Sequence, residues 1–129
     1  HLYGDEVLLL LARIMRDSFR HQDKLFRFGG EEFVVILRAM ADDEVTVALE
    51  RFREAVENYR FPQVGQVTVS VGYTCIDAQD TIPDIVGRAD DALYMAKESG
   101  RNQLAHYEKL VSEGKIATRE QPDSDIELF

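Results

Sequence analysis

The sequence predicts an α+β sandwich in which helices cover a largely antiparallel sheet. Three observations carry this. Two apolar, β-prone runs, Lys24-Leu25-Phe26-Arg27-Phe28 and Phe33-Val34-Val35-Ile36-Leu37, flank the pair Gly29-Gly30. A further run, Gln66 to Cys75, alternates apolar with small or polar residues at period two. Around these runs lie three stretches whose apolar residues recur at helical spacing.

The first helix is expected to open at Asp5, read as its N-cap, and to carry Val7, Leu10, Leu11, Ile14, Met15 and Phe19 before ending near Arg20-His21. The Gly-Gly pair predicts a β-hairpin, because glycine takes φ > 0 without steric cost. Asp42 or Asp43 opens a second helix with Val45, Ala48, Leu49, Phe52, Ala55, Val56 and Tyr59 on its apolar stripe, and Pro62 and Gly65 mark a turn. In the run from Gln66 to Cys75, Val67, Val69, Val71 and Tyr73 face one way while Thr68, Ser70 and Gly72 face the other, as in a half-buried strand.

Thr81 and Asp84 form a capping-box pair, and Pro83 lies near the helix start, where its missing N–H costs nothing. That third helix carries Ile85, Ala89, Ala92, Leu93 and Ala96 and stops at Gly100. Leu104 to Tyr107 reads as a short last strand. The periodicity then fades after Leu110, so a domain over 1–108 is expected to be followed by an acidic, flexible tail over 109–129. The predicted order, α-β-β-α-β-α-β, begins with a helix, whereas such sandwiches usually begin with a strand that pairs centrally.

Composition narrows the function classes. At 129 residues the chain makes one domain with a single core. No apolar run approaches the roughly 18 residues needed to cross a bilayer, so no membrane contact is expected from this segment, and no signal peptide is visible. The net charge of −9 argues against a nucleic-acid surface, which needs clustered Lys and Arg. The lone Cys75 has no disulfide partner within the chain, which fits a reducing, cytoplasmic setting, and it reads as a small apolar filler rather than a nucleophile. The opening His1 predicts a processed or excised piece of a longer protein.

The chemistry concentrates at Gly29-Gly30-Glu31-Glu32-Phe33. A backbone without Cβ atoms can approach a phosphate, and an adjacent carboxylate can hold a divalent cation against it. Alone, the string is equally a hairpin with a solvated tip. Three further clusters surround it: Gly4-Asp5-Glu6-Val7-Leu8; Arg20-His21-Gln22-Asp23, whose Asp23 precedes Gly29 by a spacer of five residues; and Arg88-Ala89-Asp90-Asp91-Ala92-Leu93-Tyr94-Met95-Ala96-Lys97-Glu98-Ser99-Gly100-Arg101-Asn102.

With Val67-Thr68-Val69-Ser70-Val71-Gly72, these blocks resemble the GGDEF family, the diguanylate cyclases, over residues 1 to about 107. The resemblance implies a nucleotide-cyclase-like, ferredoxin-like core and the condensation of two GTP into cyclic di-GMP with release of two pyrophosphates. It implies two Mg²⁺ (or Mn²⁺) per active site and a homodimer, each subunit holding one GTP. Glu31 matches the position that binds metal and helps to activate the attacking hydroxyl, with Glu32 in support. Gly29 and Gly30 match the turn at the phosphates, and Lys97 and Arg101, four apart across the helix end, match its terminal-phosphate contacts. Asp5 matches the acceptor for the guanine N1–H and 2-amino group, a role compatible with an N-cap. Arg20, Asp23 and Arg51 match an inhibitory product site.

One part of the family pattern has no counterpart. The family's opening strand and helix carry an FDxDxFKxxND-like segment with another metal-binding aspartate, a phosphate-binding lysine and a guanine-reading asparagine. This sequence starts after it, so the chain is expected to be N-terminally incomplete. The alternative to an active cyclase is a non-catalytic cyclic di-GMP receptor acting through Arg20, Asp23 and Arg51; a purely structural dimerisation module is a third reading. An upstream sensor domain is expected in the parent protein, which the resemblance allows to be membrane-anchored.

Overall fold

A computed structural model describes residues 4–28, 30–38 and 41–118. Its elements run α1 (Asp5–Ser18), β1 (Lys24–Phe28), β2 (Glu32–Ile36), α2 (Asp42–Asn58), β3 (Arg60–Phe61), β4 (Gly65–Gln66), β5 (Val71–Tyr73), α3 (Ile82–Glu98), β6 (Leu104–His106) and α4 (Tyr107–Ser112). The expected mixture of helix and sheet is present. The chain divides into two compact units, one ending at Val69 and the other beginning at Ser70.

In the first unit, α1 buries Val7, Leu8, Leu11 and Met15, a stripe at i, i+4 and i+8 with one flanking position. Gly4, not Asp5, is the N-cap, and no side chain caps this helix. Asp5 is instead the first helical residue, exposed beside Glu6, where negative charge complements the helix N-terminus. The helix stops at Ser18, two residues before the expected end, with the Ser18 hydroxyl donating to the Ile14 carbonyl at 2.7 Å. Phe19, just beyond, is buried, and its ring centroid lies 5.4 Å from that of Phe52 on α2.

Helix α2 buries Ala48, Leu49, Phe52 and Val56. Ala55 and Tyr59, expected on the same stripe, are exposed. Ala55 flanks the stripe, and Tyr59 is the C-cap, past the point where helical periodicity applies. At the other end, the Glu44 carboxylate accepts the Ala41 N–H at 3.0 Å, which is the half of a capping box that an alanine N-cap permits.

The run from Gln66 to Cys75 is not one strand. Gly65–Gln66 pairs antiparallel with Arg60–Phe61, and Val71–Tyr73 belongs to a different sheet. Positive φ at Gln63 (73°) and Gly65 (79°) turns β3 sharply into β4. Period-two alternation therefore spans two short strands and the segment joining them.

The second unit is a β5–α3–β6 crossover with the two strands parallel, unlike the antiparallel β1–β2 and β3–β4 pairs. Its register sets Val71 beside Leu104, Gly72 beside Ala105 and Tyr73 beside His106. Thr81 caps α3 as expected: its hydroxyl accepts the Asp84 N–H at 3.3 Å, and the Asp84 carboxylate accepts the Thr81 N–H at 3.0 Å. Ala92, Ala96, Ala105 and Tyr107 form the buried core, with Leu110, Val111 and Ile116 packed against it. Ordered packing thus continues beyond the expected boundary at 108, through α4 to Ile116, because Tyr107 turns inward and starts a helix instead of closing a strand. Residues 119–129 of the expected tail lie outside the described residues.

Gly72 sets the distance between β5 and α3. A Cβ there would collide with the Leu93 backbone N and the Ala89 carbonyl and would lie 2.7 Å from the Leu93 Cα. These are backbone atoms, which cannot rotate aside. Gly72→Ala is expected to cost stability at or beyond the upper end of the usual overpacking range of about 1–3 kcal/mol, read as a lowered urea midpoint.

Arg88 on α3 fastens the segment between β5 and α3. It donates to both Asp80 oxygens at 2.9 and 2.6 Å, to the Thr74 hydroxyl at 3.0 Å and to the Cys75 carbonyl at 2.9 Å. The Arg88 hydrogen bonds, helped by the Asp77 N–H, lower the Asp80 carboxyl from its ordinary 3.8 to about 2. Because the folded value lies below the unfolded one, the stabilisation is complete above about pH 4 and fades as the pH falls through about 2. Asp80→Asn is expected to lower the chemical-denaturation midpoint at pH 7 and to have little effect near pH 2.

Candidate functional site

The β1–β2 register pairs Arg27 with Phe33 and Phe28 with Glu32, so the hairpin loop comprises residues 29–31. Glu31 therefore belongs to the loop, and the strand begins at Glu32. Gly29 lies outside the described residues. Gly30 takes φ +38°, and nothing stands within 4 Å of where its Cβ would be, so the backbone is bare on that side. Glu31 is half-buried with its Oε2 atom shielded from water, while Glu32 is exposed.

Arg27, which the sequence reading missed, holds this loop. Its Nε and a terminal nitrogen donate to the Gly30 carbonyl at 3.1 and 2.7 Å. Its guanidinium lies 6.0 Å from the centre of the Phe33 ring, its partner across the hairpin. An arginine two residues before the glycine pair, opposite an aromatic, was the available signal. The donor set suits a hard divalent cation: two neighbouring carboxylates, one withdrawn from bulk water, beside a backbone that leaves room for phosphate. The chemistry of these groups is compatible with Mg²⁺ or Mn²⁺.

Arg20 and Asp23 close on each other. The Asp23 N–H donates to the Arg20 carbonyl at 3.0 Å, and the Arg20 N–H returns to Asp23 Oδ2 at 2.8 Å. Asp23 Oδ1 accepts the Arg38 N–H at 3.3 Å and an Arg20 guanidinium N–H at 3.5 Å, and the same guanidinium nitrogen donates to the Arg38 carbonyl. The Asp23 side chain is 0% exposed, whereas that of Arg20 is 40% exposed. Asp23 thus shapes the Arg20 turn from within; facing a ligand would require it to surrender main-chain hydrogen bonds. Arg51 is exposed on α2, one position before Phe52, whose ring packs on Phe19, the residue preceding Arg20.

In the second unit, Lys97 occupies the last turn of α3 and is exposed. Arg101 does not continue that helix, so the helical i, i+4 argument for placing it beside Lys97 does not apply. The chain leaves α3 through Gly100 (φ 120°), Arg101 (φ 63°) and Asn102 (φ 50°), three successive residues with positive φ. The Arg101 N–H donates to the Ala96 carbonyl at 2.9 Å, wrapping the helix end. The Asn102 N–H donates to the Ser70 hydroxyl at 3.1 Å, and the Gln103 amide donates to the Ser99 and Arg101 carbonyls at 3.1 and 3.0 Å. A non-glycine pair in the left-handed region is costly, and these bonds keep it in place.

The model of the family described as diguanylate cyclase, GGDEF domain, matches residues 1–103. The chain belongs to the GGDEF family. It is 38% identical over 104 residues to the diguanylate cyclase DgcM of Escherichia coli strain K12, covering 81% of this chain and 25% of that protein. The chain therefore spans about a quarter of the length of that curated relative. Among solved structures, it resembles the GGDEF domain of DgcB from Caulobacter crescentus in complex with c-di-GMP (TM-score 0.76, 30% identity, 84% of this chain and 67% of that one). It also resembles the active GGEEF domain of a diguanylate cyclase from Vibrio cholerae (TM-score 0.73, 31% identity, 83% and 70%). Among the described residues, no helix is long and apolar enough to cross a membrane.

Two backbone N–H groups depend on the Asp23 carboxylate, so Asp23→Ala is expected to cost about 1–3 kcal/mol of stability in urea unfolding. Arg20→Ala, which spares both of those main-chain bonds, is expected to cost clearly less.

Proposed function

We propose that this domain condenses two GTP molecules into cyclic di-GMP and two pyrophosphates, working as a homodimer with one GTP per subunit. The observation that carries the reading is the loop at 29–31. A left-handed glycine and an acid with one shielded oxygen share a turn pinned by Arg27. Family membership supplies the reaction class.

Each 3′-hydroxyl oxygen bonds to the α-phosphorus of the other nucleotide, loses its proton, and displaces pyrophosphate. Bound Mg²⁺ or Mn²⁺, two per active site, supplies charge neutralisation at the triphosphate and lowers the hydroxyl pKa. Glu31 holds metal and draws the hydroxyl proton, supported by the exposed Glu32. The bare backbone at Gly30 admits the phosphates. Lys97 and Arg101 hold the terminal phosphates, and Asp5 accepts from the guanine N1–H and 2-amino group, a pair of donors that adenine lacks.

We assign product feedback to Arg20 and Arg51, with Asp23 positioning Arg20. A purely receptor role for the same residues is the second reading. It is favoured by the formed Arg20–Asp23 turn and by the c-di-GMP complex of the Caulobacter relative. The greater length of the relatives supports an upstream sensor domain in the parent protein, and the cytoplasm, where GTP is abundant, is the proposed location.

Incubation with GTP and Mg²⁺, followed by chromatography, tests the reading on this chain and on a form extended at its N-terminus by a strand and helix with the family's FDxDxFKxxND-like pattern. The extended form is expected to yield cyclic di-GMP. Glu31→Gln is expected to lower kcat by roughly 10²–10⁴-fold, and Arg101→Ala to raise KM about tenfold or more. Calorimetric binding of cyclic di-GMP that Arg20→Ala abolishes, without turnover by the extended form, would favour the receptor instead.

A further inference from the structure

Cys75 is exposed just after β5, His106 ends β6, and Glu108 stands in the first turn of α4. Sequence separates Cys75 from the other two by about thirty positions, yet the parallel β5–β6 pairing brings all three to one edge of the second unit. One donor atom from each, a sulfur, an imidazole nitrogen and a carboxylate oxygen, lies within 4.8 Å of the others. His106 Nε2 is 3.3 Å from Glu108 Oε1. We propose that Cys75, His106 and Glu108 form a binding site for one Zn²⁺ ion, separate from the Mg²⁺ site of the hairpin loop.

The geometry is close to what the ion requires. With zinc bonds of about 2.0–2.3 Å, tetrahedral ligand atoms lie about 3.3–3.6 Å apart. The nitrogen–oxygen pair already has that spacing. The sulfur needs to close by no more than about 1.2 Å, within reach of a side-chain rotation at an exposed cysteine. Thiolate, imidazole and carboxylate together suit zinc, while magnesium and calcium prefer all-oxygen sets. Three protein ligands leave the fourth position to water.

The surroundings fix the ligands. The Tyr73 ring stacks on His106 with centroids 4.6 Å apart and planes 3° from parallel, which sets the imidazole orientation. The Thr74 hydroxyl donates to Glu108 Oε2 at 2.5 Å, and Oε1 is the oxygen nearest the imidazole. The Cys75 N–H reaches both Glu108 oxygens at 3.4 Å, bringing the cysteine backbone to the carboxylate.

Arg88 is the opposing charge, with its Nε 4.0 Å from Glu108 Oε2. Its guanidinium is already engaged bidentately by Asp80. The open cavity of about 310 Å³ at this edge is lined by Cys75, Ile76, Asp77, Asp80, Arg88 and Glu108, so three carboxylates face one cation and the local charge is negative. On binding, the Cys75 thiol gives up its proton to solvent and His106 binds as neutral imidazole.

Titrating the metal-stripped, tag-free full chain with Co²⁺, a spectroscopic substitute for zinc, tests this. One equivalent is expected to produce a sulfur-to-cobalt charge-transfer band and the visible bands of a four-coordinate ion. One equivalent of Zn²⁺ is expected to erase both, and excess Mg²⁺ to leave them unchanged. Cys75→Ser should remove the charge-transfer band, while Glu108→Gln and His106→Gln should weaken binding. Thr74→Val should weaken it by about 10- to 100-fold, as loss of an orienting partner does elsewhere. No bands, bands that persist in Cys75→Ser, or half-equivalent binding from thiolates of two chains would each overturn the site. None of these outcomes bears on GTP turnover, so this site and the cyclase reading stand or fall separately.

Discussion

Between β5 and α3 there is no room for a side chain, since the Leu93 N and the Ala89 carbonyl crowd the face of Gly72 where a Cβ would project. Much of the second unit follows from that approach. With the helix so close to the strand, the α3 residues facing inward must be small, and Ala92 and Ala96 are the ones with essentially no exposure. The same closeness lets α3 pack on both parallel strands and brings its C-terminus to the turn at Gly100, Arg101 and Asn102. There Ser70, two residues before Gly72, receives the Asn102 N–H.

The first unit is organised by a different constraint, the satisfaction of a buried carboxylate. Asp23 lies at the start of the hairpin with its side chain out of solvent, an arrangement tolerable only because two main-chain N–H groups and a guanidinium address it. Its partners reach from Arg20 to Arg38, so one acid links the chain entering the hairpin with the chain leaving it. At the opposite end of the same hairpin, Arg27 clasps Gly30. The two ends that flank β1 and β2 are thus tied by arginine–carbonyl and arginine–carboxylate contacts.

Helices were legible because their signals are local. The stripe of α2 at Ala48, Leu49, Phe52 and Val56 and the Thr81–Asp84 cap of α3 could be read directly. Strands were less so, because alternation between Gln66 and Cys75 continues across two strands belonging to different sheets, and pairing partners are not encoded in periodicity. The motif carrying Glu31 was visible as a string, but its three-residue loop depends on register, which only the Arg27–Phe33 pairing reveals. In the sequence Asp23 groups with Arg20 and Arg51 as a product-site residue; its burial among main-chain donors involves Arg38, fifteen positions later, which no local pattern signals. Cys75 read as an apolar filler and is exposed, since it follows β5 instead of belonging to it. Its neighbours His106 and Glu108 come from a distant stretch, so no local pattern announces them.

The left-handed pair at Arg101 and Asn102 also bears on how the domain tolerates change. Asparagine adopts such a conformation more readily than most residues, but arginine resists it by roughly 1–2 kcal/mol, and glycine in that place would relieve the resistance. Drift toward greater thermal robustness would therefore favour losing the arginine, whereas any duty that fixes its guanidinium in space works against that drift. Under the proposed phosphate role, position 101 is where durability and activity would pull in opposite directions, a tension that the well-packed alanines a few residues upstream would not share.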